Sequence, residues 1–138
     1  THKILSYDRT FEGKTSVRVA VVFGSESAAI ATEFAAALTQ LGRVASAIDQ
    51  LRLAAKISEE DVIYLMPDVE VAAASDLAEK NGKLTLSGVV AFAEQGQVSI
   101  ALGMRRDKKP EIVVHLGRVK AEGHQLAAGL LQLARVIR

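Results

Sequence analysis

Residues 17–23 read Val-Arg-Val-Ala-Val-Val-Phe and run straight into Gly24-Ser25-Glu26-Ser27. The first seven are almost unbroken β-branched and aliphatic, the pattern of a strand covered on both faces of a parallel sheet. The next four join a turn former to short polar side chains suited to a helix start. Beyond them Ile30, Phe34, Leu38 and Leu41 recur at spacings of four, four and three, which predicts one apolar stripe on a helix that Gly42 ends. A buried strand, a polar turn and a helix thus make the first unit.

Working outward, the same unit repeats. Arg43–Ile48 is a short second strand and Leu51–Ile57 a short helix, followed by the polar turn Ser58–Asp61. Val62–Met66 is a third buried strand, stopped by Pro67. Val69–Lys80 is Ala-rich and helical, with Asn81-Gly82 as a left-handed exit. Lys83–Leu86 gives a fourth strand, and Val89–Glu94 one or two helical turns ended by Gly96. The pattern then changes. Val98–Met104 and Glu111–His115 flank the polar stretch Arg105–Pro110, which predicts an antiparallel hairpin. A last helix is expected from about His124 to Ile137, with Leu126, Leu130, Ala134 and Ile137 along one face, a break near Gly123 and close packing at Gly129. Strands separated by helices need crossovers, and crossovers give parallel pairing. The expected fold is therefore α/β: a three-layer, Rossmann-like, doubly wound and mostly parallel sheet with an antiparallel edge hairpin.

With 138 residues, of which 49% are hydrophobic, residues 1–138 fit one soluble domain with a real core. Seventeen basic and 16 acidic residues are mixed along the chain, and aromatic residues make up only 4%. That balance argues against nucleic acid, which calls for a basic face or stacking platforms, and against an anionic lipid surface. The densest basic stretch, Arg105, Arg106, Lys108 and Lys109, reads as a solvated hairpin tip before it reads as a contact for an acidic partner. Without cysteine there are no disulfides, thiolate metal sites or Cys nucleophiles. No apolar run approaches the ~20 residues of a membrane span, so no direct membrane insertion is expected. The chain opens on Thr1 rather than Met; a cleaved export signal and an arbitrary boundary both explain this.

Ligands of doubly wound sheets sit outside the carboxyl ends of the strands, where strand order reverses. Gly24–Ser27, Asp49-Gln50, Pro67-Asp68 and Ser87-Gly88 would gather there, so Ser25, Ser27, Asp68 and Ser87 are the candidate ligand contacts. Gly24–Ser27 lacks the glycine spacing of a dinucleotide fingerprint and the Gly-Lys-Ser/Thr of a P-loop, and Glu26 would repel a phosphate. Helix capping is its first reading. His115 and His124 have only Glu111 and Glu122 near them in sequence, and His2 lies in an end expected to be loose. Glu111 shares strand parity with His115, so a carboxylate–His surface pair is expected rather than a metal site. No Gly-x-Ser-x-Gly elbow is present. Asp68 does follow the third strand, but the acidic pair and the Lys that phosphotransfer needs are missing. These residues point to no enzyme, no catalytic residue, no metal and no cofactor.

Three stretches carry a family resemblance: Lys3-Ile4-Leu5-Ser6-Tyr7-Asp8-Arg9, then Leu84-Thr85-Leu86-Ser87-Gly88 with Phe92 and Gly96, and Gln125–Ile137. In their order and spacing they resemble the YfiR-like family of bacterial exported proteins, whose members close on a helix of the form Leu-Leu-x-Leu-Ala-x-Val-Ile. That resemblance implies a non-enzymatic regulatory domain of the periplasm. It would act by protein–protein interaction on a membrane-bound signalling protein or sensor, such as a diguanylate cyclase, with a homodimer as a further expected partner arrangement. The alternative reading is a small-molecule-binding domain resembling one lobe of a periplasmic solute-binding protein.

Overall fold

The computed structural model describes residues 17–41, 44–104, 107–126 and 128–137. The expectations for His2, the opening motif at residues 3–9, Gly42, Arg43, Arg105, Arg106 and the packing at Gly129 lie outside what it describes. One seven-stranded sheet in the order β2-β1-β3-β4-β5-β6-β7 organises the fold. β1 (Arg18–Phe23) lies between β2 (Val44–Asp49) and β3 (Val62–Leu65), parallel to both. Its residues Val19–Val22 are wholly buried, as the unbroken apolar run requires. β4 (Leu84–Ser87) and β5 (Ile100–Met104) extend the parallel array, while β5 and β6 (Pro110–His115) form the expected antiparallel pair.

The chain first steps from β1 outward to β2, then crosses back over β1 to β3. Right-handed crossovers then place α1 (Ala28–Gln40) on one face of the sheet. The other face receives the helical segment Gln50–Glu59, then α3 (Val71–Lys80) and α4 (Val90–Glu94). Segment 50–59 is one turn of α-helix, α2 (Leu53–Lys56), between two 3-10 turns.

Four expectations are corrected. The buried face of α1 is Ala31, Ala35 and Leu38, while Ile30 and Leu41 are 60% and 56% exposed. Small alanines let the helix approach the sheet closely, which pushes the larger residues to its flank, where Phe34 stacks on Tyr64 with ring centroids 4.6 Å apart. The last helix does not reach Ile137. It is the short α6 (Ala128–Leu133), and Arg135–Ile137 form β7, parallel to β6. Val136 and Ile137 are β-branched and favour a strand, and Arg135 fixes it by ion pairs to Glu111 (2.8 Å) and Glu94 (3.0 Å). The antiparallel hairpin accordingly sits one strand in from the edge. Glu111 is therefore taken by Arg135, not by His115, whose Nδ1 accepts the Arg118 N–H (3.0 Å) and caps a helix the sequence did not announce, α5 (Leu116–Ala121).

At the amino ends of β4 and β5, Glu122 is almost wholly buried and accepts from the Thr85 N–H (3.0 Å), the Thr85 hydroxyl (2.6 Å), the Ser99 hydroxyl (2.5 Å) and Arg118 Nε (2.7 Å). Gly82 and Gly123 adopt φ of 66° and 78°, conformations open to glycine, and so end α3 and α5 where the sequence expects an exit and a break. Among the described residues, no helix is long and apolar enough to cross a membrane.

Candidate functional site

The strand order reverses between β1 and β3, and the loops leaving their carboxyl ends meet there. Pro67 stops β3 and delivers Asp68 to the start of α1. Asp68 Oδ1 accepts the Gly24 N–H (3.1 Å) and the Ser27 hydroxyl; Oδ2 accepts the N–H groups of Glu26 (2.8 Å) and Ser27 (3.1 Å). An ionised carboxylate offers about four acceptor positions, so this one is filled by its own protein. The Ser27 hydroxyl first, then the amides of Glu26 and Gly24, hold the Asp68 carboxyl down to a pKa of about 2. The free N–H groups that favour an anion at a helix start are thus taken by an internal one. Ser27, in the N-cap position, makes no cap bond of its own because its hydroxyl donates to Asp68. Gly24 permits the contact: a Cβ there would stand 2.5 Å from the Asp68 carbonyl oxygen and 2.8 Å from its carboxyl.

The neighbouring loops are tied as well. Asp49 Oδ1 accepts the Leu51 N–H (2.9 Å), and Gln50 Oε1 accepts the Glu70 N–H (2.8 Å), joining the exit of β2 to the start of α3. Ser87, fully buried, donates to the Leu65 carbonyl (2.8 Å) and accepts from the Val89 N–H (3.1 Å). Of the four expected contacts, the structure therefore brings Ser27 and Asp68 together, sets Ser87 between β3 and β4, and leaves Ser25 exposed at the rim. Glu70 was not singled out in the sequence. Its signal was position alone, four residues beyond the end of β3's apolar run.

Between segment 50–53 and α3 the rim opens into a cleft of about 220 Å³. Leu51, Leu53, Ala73 and Leu77 form its apolar walls, and Gln50 and Glu70 its polar mouth. Leu51 is 88% exposed there. Residues 24–27, 49–51, 67–70 and 87–89 include Glu26, Asp49, Asp68 and Glu70 but no Lys or Arg. Arg52 follows directly but does not line this cleft, whose one charged lining group among the described residues is Glu70, so its mouth favours neutral or cationic groups over phosphates.

No protein-family model and no curated protein matches the chain. Among solved structures it is similar to an ABC domain in complex with L-Trp from Streptococcus pneumonia. The TM-score is 0.72 at 11% identity, over 99% of this chain and 59% of that one. A conserved domain protein from Vibrio cholerae gives the same TM-score at 16% identity, over 98% of this chain and 56% of that one. The chain thus spans less than two thirds of either structure. At these identities the likeness shows the fold: a Rossmann-like α/β sheet.

Proposed function

We propose that this chain is a small-molecule-binding domain that holds its ligand at the carboxyl edge of the sheet, in the cleft between residues 50–53 and α3, without catalysing a reaction. The observation that carries this reading is the cross-linked rim. Asp68, Gln50 and Ser87 tie adjacent loops together where the strand order reverses, so the mouth of the cleft is shaped before any ligand arrives. A preformed mouth lowers the ordering cost of binding. In this reading Ser27, Asp68 and Ser87 hold the rim, and Ser25, exposed at the rim, does not line the cleft. A cleft of about 220 Å³ lies below the ~300–1,000 Å³ typical of drug-sized ligands, so it suits a smaller molecule with an apolar body and a neutral or cationic head. The neighbour's complex with L-Trp supports a ligand of about that size. The periplasmic setting implied by the YfiR-like resemblance is part of the proposal.

Thermal unfolding with tryptamine, a cationic amine with an apolar body, tests it. A ligand at 100 times its Kd adds about 2.7 kcal/mol, several degrees for a domain of this size. A rise in Tm is expected, and Ala73→Leu, which narrows the cleft, should remove it. No rise at millimolar ligand, or a rise that survives Ala73→Leu, would overturn the reading.

A second reading, a regulatory domain acting on a membrane-bound signalling protein, is supported by the outer flank of α1. Ile30 and Leu41, eleven residues and about three turns apart, present exposed apolar side chains on one helix face. It expects sedimentation velocity to show self-association or partner binding that Ile30→Glu with Leu41→Glu abolishes while the fold stays intact. A monomer indifferent to both changes would set it aside.

A further inference from the structure

We propose a second ligand site, distinct from the rim cleft, in the cavity between the edge strand β2 and segment 52–60, built for a zwitterionic amino acid with an apolar side chain. The cavity measures about 350 Å³, within the range of small-molecule sites. Phe23, Ala47 and Ile48 give it an apolar wall.

Its charges carry the inference. Arg52 and Lys56, one helical turn apart, both line it, and neither makes a hydrogen bond or ion pair among the described residues. Glu59 lines it under the same condition, and Asp49 uses only Oδ1, leaving Oδ2 open. The remaining charged pair is self-contained: Glu60, 4% exposed, faces Arg18 at 3.7 Å. Two cations and two carboxylates thus surround one space, and none of the four lies within 4.0 Å of an opposite member. Groups placed to neutralise one another would touch. Groups held apart around an apolar wall match a molecule that carries both charges itself. Its carboxylate would meet the guanidinium fork of Arg52 and the Lys56 ammonium, its ammonium would meet Glu59 and Asp49, and its side chain the Phe23 wall. A lone anion or a lone cation leaves half of this unanswered.

Calorimetric titration of the whole chain with L-phenylalanine, 3-phenylpropionate and phenethylamine tests the proposal. Phenylalanine is expected to bind at least about tenfold tighter than either singly charged analogue, a difference of about 1.4 kcal/mol. Arg52→Gln should weaken phenylalanine and phenylpropionate alike. Glu59→Gln should weaken phenylalanine and phenethylamine and leave phenylpropionate unchanged. Both positions lie on the surface segment and should leave Tm unchanged. Ala73→Leu, which blocks the rim cleft, should leave this binding intact, so the two sites fail independently. No measurable phenylalanine binding, an analogue that binds equally well, or an affinity unmoved by Arg52→Gln overturns the proposal.

Discussion

Asp68 shows what a single side chain can settle. Its carboxylate closes the start of α1 from a position 41 residues away, so the loop after β1 is held as a rim rather than left as an anion receptor. Because the folded carboxyl titrates near 2 and the ordinary value is 3.8, the folded state gives up its proton first as pH rises. The stabilisation is complete above about pH 4 and is lost as pH falls through about 2. Acid unfolding followed by circular dichroism should therefore show a component in that window that Asp68→Asn removes. Gly24→Ala drives a methyl group into the Asp68 backbone and should cost about 1–3 kcal/mol in denaturant unfolding, in line with overpacked sites. The sequence gathered Ser27 and Asp68 correctly, since both follow strands that must end side by side. That they would bond to each other was not legible, because spacing along the chain says nothing of which donors a distant carboxylate will reach.

Among the elements, the buried strands were the plainest, since β-branched runs such as Val19–Val22 and Val62–Leu65 have no competing reading. Helix faces were harder. The stripe Ile30, Phe34, Leu38 and Leu41 had the right period, yet the alanines one position on pack against the sheet, because closeness of approach outweighs side-chain size there. The end of the chain misled for a related reason: spacings of three and four among Leu126, Leu130, Ala134 and Ile137 also fit a short helix followed by a strand. α5 was invisible because its buried members are Arg118 and Val119, and the carboxylate that holds it, Glu122, lies one residue past its end. That carboxylate ties α5 to β4 and β5. Glu122→Gln breaks a buried charge pair and should cost about 3–5 kcal/mol, a fall in Tm of roughly 10–20 °C by scanning calorimetry. Arg135→Gln, at a pair about half exposed, should cost less than about 1 kcal/mol.

For the molecule as a whole, alternation of strand and helix was enough to predict a mostly parallel, doubly wound sheet. The strand order was not, since it depends on which side of β1 each crossover lands. That order places the reversal beside β1, with tied loops around an acidic mouth and an apolar cleft, and the proposed function follows from this arrangement. An ¹H–¹⁵N correlation titration with tryptamine tests it most directly. The account expects the amides of Gln50, Leu51, Glu70 and Ala73 to shift, while those of Gly24, Glu26 and Ser27 hold still because Asp68 keeps their hydrogen bonds. Shifts confined to residues 24–27, or none around the cleft at saturating ligand, would contradict it.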